Sequence, residues 1–273
     1  MRINTRKSAA FFIAVAGAAF LLPKALHAHD TWLLPDRFKI APKESVSVDL
    51  TSGMAFPELE TGPKRERVES AKWRVAGRII DVTDITAGPK ALVFKAELPE
   101  PGVATFSVKL PPRSIELKPE EVAEYFEEIA APAGLRKQWA EMKPQRWREL
   151  YTKHQKTFVR VGEPQTDRSW AEPVGAALEI VPEKDPTTVH EGEEFPLRVL
   201  KNGAPHADFS VNAVAAHETK GETRKTDPGG RVVFPLNKSG AWLLRGTDLR
   251  KSTRSDADWE SDFTTLTLEV KPK

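Results

Sequence analysis

The chain has 273 residues, with 41 Lys and Arg against 39 Asp and Glu, 22 prolines and no cysteine. The lack of cysteine excludes lipoprotein attachment, a disulfide framework and any thiolate metal site. The near-balanced charge gives a nucleic-acid partner no electrostatic support.

Residues 1–8, MRINTRKS, carry Arg2, Arg6 and Lys7 and no acid, and residues 9–22, AAFFIAVAGAAFLL, carry no charge. Pro23 ends the run. A basic segment, a short apolar segment and a polar segment in this order predict a secretory signal peptide over residues 1–28. The apolar run falls short of the roughly 20 residues of a membrane span. Ala28 supplies the small residue before the cut, which makes His29 the expected first residue of the mature chain. A cut after Ala25 would instead leave Leu26-His27 at the front. Without residues 1–28 the balance becomes 37 basic against 39 acidic residues, a net charge of −2. The expected mature protein is periplasmic and has no further span.

The remaining chain predicts an all-β dominated protein: two immunoglobulin-like β-sandwich domains with an inserted helical hairpin. In KESVSVDLTSG (43–53), Val46, Val48 and Leu50 alternate with polar residues, as in a half-buried strand. AKWRVAG (71–77) and GRIIDVTDI (77–85) read as two strands joined near Gly77. ALVFKAELPEPGVATFSVKL (91–110) reads as a strand, a turn at Pro99 to Gly102 and another strand. These place a first sandwich over 29–117.

Residues 118–157 read as helical. Pro119 and the acids after it suit a first helical turn, and Val122, Tyr125, Phe126 and Ile129 recur at helical spacing. Gly134 interrupts, and Leu135, Trp139, Trp147, Leu150 and Tyr151 are expected on the inner face of a second helix. The second sandwich is expected over 158–273, beginning with VRVGEP (159–164). GAALEIVPEKDP (175–186), EEFPLRVLKNGAPHADFSVNAVAA (193–216), TDPGGRVVFPL (226–236) and FTTLTLEV (263–270) supply its strands. Asn202-Gly203 between apolar runs is a strong hairpin signal.

An N-terminal His29 offers an amine with a pKa of about 8 beside an imidazole of about 6.5. A metal ion displaces both protons at neutral pH and is held by both nitrogens in one chelate ring. Such ligands suit Ni, Co, Cu and Zn, with Cu(II) bound tightest. Asp30 is placed to ligate or to orient the imidazole. His154, in the helix-to-strand joint, is the best distant candidate, and Asp248 a second. His27, His217 and Glu260, the last within the acidic cluster DADWES (256–261), are alternative ligands. His190 and His206 sit in polar turns. The bland reading of each is a solvated loop residue, since none shows HxH or HExxH spacing. Trp32 reads as core. Enzyme signatures are absent: no GxSxG, phosphate loop, HExxH or cysteine nucleophile. A copper-monooxygenase brace would need a second histidine facing the first, which the sequence does not show.

HAHDTWLLP, KTFVRVG, LEIVPEKDP, PLRVLKNGAP, TDPGGR and SGAWLLRGTDLRKSTRSDADWESDFTTLTLEV, in this order, resemble the bacterial periplasmic family called domain of unknown function 4198. The resemblance implies immunoglobulin-like domains, the second similar to carboxypeptidase-regulatory modules. It further implies one divalent transition metal ion (Ni, Co or Cu) and partnership with an inner-membrane metal transporter. In the nickel component of such transporters the chelating histidine stands second, whereas here His29 stands first. The alternative expectation is a non-catalytic β-sandwich module that binds a protein or glycan at its loops.

Overall fold

The computed structural model describes residues 30–163 and 166–273. The expected signal segment, His27 and His29 therefore lie outside the described residues.

The N-terminal block holds β1 (Asp30–Pro35), β2 (Lys39–Ile40), β3 (Ser45–Gly53), β4 (Ser70–Val75), β5 (Arg78–Asp81), β6 (Asp84–Ala87), β7 (Leu92–Glu97) and the long β8 (Gly102–Leu117). Helices α1 (Pro119–Glu128) and α2 (Ala133–Glu141) follow, and then β9 (Trp147–Val161). The C-terminal block holds β10 (Leu178–Pro182), β11 (Glu193–Lys201), β12 (Ala204–Pro205), β13 (Ser210–Ala215), β14 (Glu222–Lys225), β15 (Arg231–Leu236), β16 (Gly240–Lys251) and β17 (Trp259–Val270).

The strands form three layers. One long sheet runs β14-β13-β16-β17-β9-β8-β4-β5, with β2 added at the end of β9. A small N-terminal sheet, β1-β3-β7-β6, covers one face of it. Val46, Val48, Leu50, Leu92 and Phe94 there meet Trp73, Phe106, Val108, Val159 and Val161 of the long sheet. A small C-terminal sheet of β10, β11, β12 and β15 covers the opposite face. Its Ile180, Phe195, Leu197, Val199 and Phe234 meet Phe158, Val211, Leu244, Leu266 and Leu268. Alternate residues of one strand thus feed different cores, as period-two geometry requires. On β9, Phe158 faces one sandwich and Val159 the other.

Two sandwiches and an inserted helical pair agree with the expected fold. The turn chemistry is also as expected: Ala76 and Gly77 (φ 47° and 74°) close β4 onto β5, and Asn202 and Gly203 (φ 50° and 80°) close β11 onto β12. Both central residues of each turn have the positive φ that a two-residue hairpin needs.

The second helix differs from the expectation. It ends at Glu141, and residues 147–161 form a strand, so the expected boundary at 157/158 falls inside β9. Pro144 cannot continue a helix. Beyond it, Trp147, Glu149, Tyr151 and Lys153 alternate with residues of the other face, a period of two rather than 3.6. β9 pairs antiparallel with β8 and parallel with β17, so the two sandwiches share one sheet.

Helix α1 and the segment after it pack onto the far end of this sheet. Val122, Tyr125, Phe126 and Ala131 meet Leu117, Trp147, Leu249, Trp259 and Phe263 in a separate core. Trp147 stacks on Trp259 at 4.8 Å and meets Phe126 and Trp139 edge-on. This cluster lies on the same sheet face as β1, beyond the end of the small N-terminal sheet. Among the described residues, no helix is long and apolar enough to cross a membrane.

Candidate functional site

Strand β1 lies along β17. The Thr265 and Thr267 hydroxyls donate to the carbonyls of Thr31 (2.7 Å) and Leu33 (2.6 Å). Its first residues thus sit toward the Phe263 end of the sheet, and their side chains are anchored. The Asp30 carboxylate closely pairs with Arg245, whose Nε donates to Asn212 Oδ1 (3.1 Å). The Thr31 hydroxyl meets Ser52 Oγ at 2.7 Å and accepts from Lys153 Nζ at 3.0 Å. Trp32 is 1% exposed and packs on Phe56, Val214 and Leu243, a core residue as expected.

Ser52 and Lys153 also line a cleft of about 1020 Å³. One wall is the segment 61–67, the other is α1 at Tyr125, and the floor is β8, β9 and Phe263. Two local features build it. At Pro111-Pro112 the β8–β9 register slips, so that Leu110 faces Lys153 but Arg113 faces Tyr151. Proline cannot donate to the ladder, and a bulge accommodates the pair and re-aims the next side chain. Arg67 then ties the wall to this bulge through the Pro111 carbonyl (2.9 Å).

At the closed end of the cleft, Glu149 is 2% exposed. It accepts from Tyr125 Oη (2.8 Å), Trp147 Nε1 (2.8 Å) and, closely, Ser261 Oγ. Burial pushes its carboxyl up, and the Ser261, Tyr125 and Trp147 donors pull it only partly back. Burial, then the Glu149 charge, holds the Tyr125 phenol well above its ordinary value.

Lys153 stands four residues along the same strand face. Its Nζ lies 5.6 Å from the Tyr151 ring centre and 5.3 Å from that of Phe263. Burial lowers its pKa to about 8, Glu149 opposing and Arg113 adding to the fall. The unfolded chain therefore binds this proton more strongly, so Lys153 lowers stability below pH 8 and the penalty lifts as pH rises from about 8 towards the unfolded value. Lys153→Met is expected to raise stability at pH 7 by about 1–2 kcal/mol, discounting the full shift for partial exposure. Urea denaturation of both proteins at pH 7 checks this; a less stable variant contradicts the sign.

Among the described residues, the expected metal ligands Asp30, His154 and Asp248 are not brought together. Asp30 is on the β1 face of the long sheet and is held by a guanidinium. His154 and Asp248 project from the opposite face, because each stands an odd number of residues from Lys153 or Arg245 on its own strand. His154 is 6% exposed, with Nε2 3.7 Å from Asp262 Oδ1. Asp248 accepts from His206 Nε2 (3.0 Å) and pairs with Lys201 (2.8 Å). Burial pushes Asp248 up, but His206 and Lys201 outweigh it and hold its pKa at about 2. Lys201 and Arg250 also pair with Asp262, so this is a closed ionic network between the long sheet and β11. Glu260 takes Ser252 Oγ (3.2 Å) and Arg250 (3.5 Å) beside the same network. His217 is exposed on a turn, 3.7 Å from Glu58. Among the described residues, no group of three or more His, Asp or Glu is arranged to hold a metal ion.

The cleft residues Glu149, Tyr151, Lys153 and Arg113 are absent from the sequence-derived candidates. The signal for the first three was the alternation in WRELYTK, once residues 147–153 are read as strand. For Arg113 it was the Pro-Pro pair immediately before it.

Two sandwiches that share one long sheet, with a helical insertion and a cleft between segment 61–67 and α1, define a layered β-sandwich architecture. A family model described as domain of unknown function (DUF4198) matches residues 26–247, and the chain belongs to that family. No curated protein matches it. Solved structures similar to it include the D0-D1 domain of intimin, with 15% identity, 89% of this chain and 97% of that chain covered, and a TM-score of 0.23. Another is the mouse nectin-like molecule 4 ectodomain, with 10% identity, 89% and 65% covered, and a TM-score of 0.21. A third is native alpha-2-macroglobulin from Escherichia coli over domains MG0-NIE-MG1, with 10% identity, 88% and 95% covered, and a TM-score of 0.22.

Proposed function

We propose that this is a periplasmic, non-catalytic accessory protein for transition-metal uptake, which holds one Ni(II), Co(II) or Cu(II) ion through the amine and imidazole of a processed His29. The observation that carries the reading is the anchoring of β1. His29 is one peptide bond from Asp30, and Asp30 and Thr31 are fixed by Arg245, Ser52 and Lys153 at the rim of the cleft. A chelating residue attached to a fixed strand loses less freedom on binding than one on a free tail.

His154 and Asp248 do not belong to this centre, since both lie on the opposite face of the long sheet, Asp248 within the ionic network of Lys201 and His206. The chelate supplies two nitrogens and leaves coordination positions open. Open positions allow exchange, as in sites where a metal ion keeps a labile ligand. That suits handing the ion to an inner-membrane transporter rather than storing it.

The test is a titration of the chain beginning at His29 with Cu(II) and Ni(II), followed by calorimetry. One ion is expected to bind, following the usual order with Cu(II) tightest. His29→Ala and a chain carrying Gly-Ser-Ala ahead of His29 are both expected to weaken binding by about 100-fold, since each removes one arm of the chelate. Equal affinity in all three proteins would overturn the reading.

A further inference from the structure

The floor of the cleft offers more than the anchoring of β1, to which Lys153 contributes one of its three donors through the Thr31 hydroxyl (3.0 Å). Lys153 and Arg113 both project into it, one from β9 and one from the bulged β8, and Tyr151 and Phe263 lie beside them. The two rings meet edge-on at 6.0 Å, and Lys153 Nζ lies over both. Arg113 is exposed and, among the described residues, has no ion-pair partner. The nearby carboxylate, Glu149, has its oxygens taken by Tyr125, Trp147 and Ser261. Glu116 and Glu66 also line the cleft; both are exposed, and Glu116 stands opposite Arg148 in the β8–β9 register. Two cations thus sit together at an aromatic surface, in a concave space at the upper end of small-molecule sites.

Two cations held side by side repel one another, and an anion between them removes the repulsion. A guanidinium offers a planar fork that fits a carboxylate or sulfonate by two parallel hydrogen bonds. Tyr151 and Phe263 offer ring edges and faces to a planar apolar body. We propose that the cleft binds a small organic anion carrying an aromatic or other flat apolar group, its acid group held by Arg113 and Lys153 and its body against Tyr151 and Phe263.

The probe is 8-anilinonaphthalene-1-sulfonate, which joins one sulfonate to two aromatic groups. It is titrated into the folded chain at pH 7 with a chelator present, so the outcome is independent of any metal. The expected result is a rise in emission saturating at a single site, displaced by benzoate but not by benzylamine. Lys153→Met and Arg113→Met are each expected to weaken the dye by about tenfold, as loss of one charge-assisted contact predicts. Circular dichroism confirms that both variants remain folded; Arg113 is exposed, and the Lys153 variant is expected to be the more stable protein. No emission gain, equal displacement by benzylamine, or unchanged affinity in both variants would each overturn the proposal.

Discussion

Trp147→Ala is expected to lower stability by about 3–5 kcal/mol, the range for deleting a large buried aromatic. Trp147 is 1% exposed and is the centre of the third core: it stacks on Trp259 and takes Tyr125, Phe126 and Trp139 edge-on. Its indole also gives Glu149 one of that carboxylate's three donors. The truncation therefore leaves a cavity and a buried acceptor short of a partner, two penalties from one change. Helix α1 contributes Val122, Tyr125 and Phe126 to the same cluster. Urea denaturation at pH 7 measures the loss, and hydrogen exchange locates it. Amides of α1 and α2 are expected to lose protection well beyond those of β3 or β7. A loss below about 1 kcal/mol would mean that the helical pair is not seated by this residue. The cleft wall at Tyr125 depends on that seat, so dye binding should weaken in parallel.

The second large effect is expected at Glu179→Gln. Glu179 and Lys156 are 2% and 5% exposed and meet at 2.5 Å, with Lys156 also donating to the Ile180 carbonyl (2.9 Å). Glu179 further accepts from the amides of Val174, Gly175 and Ala176, which brings the linker onto β10. Burial pushes the Glu179 carboxyl up, but Lys156 and the amides outweigh it and hold it below its ordinary value. Burial lowers Lys156, with Glu179 opposing. Removing the acid leaves a buried ammonium alone, which costs about 3–5 kcal/mol. The pH signature follows from linkage: a depressed carboxyl contributes stability that is present above its unfolded value and lost as pH falls through its folded one. Wild type and variant should therefore differ most at neutral pH and converge in acid. A constant difference from pH 7 down to pH 3 would show that packing, rather than charge, sets the effect.

The strands with apolar alternation were legible from sequence. Val46, Val48 and Leu50 mark β3, and Asn202-Gly203 marks the β11–β12 hairpin, because burial on one face and positive φ leave residue-level traces. Strand β9 was not legible. Its segment KHQKT is polar yet nearly continuously buried, since both faces are covered and Lys156 finds Glu179 on another strand. Polar residues in such a place resemble a solvated helix until the partners are known. The same error hid the cleft, whose floor residues are neighbours only when read two by two. The resemblance that pointed to the family was carried by the strands and turns, which is why family and fold were readable while the arrangement of His154 and Asp248 was not.

The pairing of β9 has a consequence for how the chain acquires its structure. One edge of this fifteen-residue strand is satisfied by β8, its neighbour across the helical pair, but the other waits for β17, at the far end of the sequence. Such non-local parallel pairing is slow to form, because a long stretch of chain must be ordered before the contact is made. Until then β9 is an open edge, able to template pairing with another copy. A chain cut between the two sandwiches would leave that edge exposed permanently.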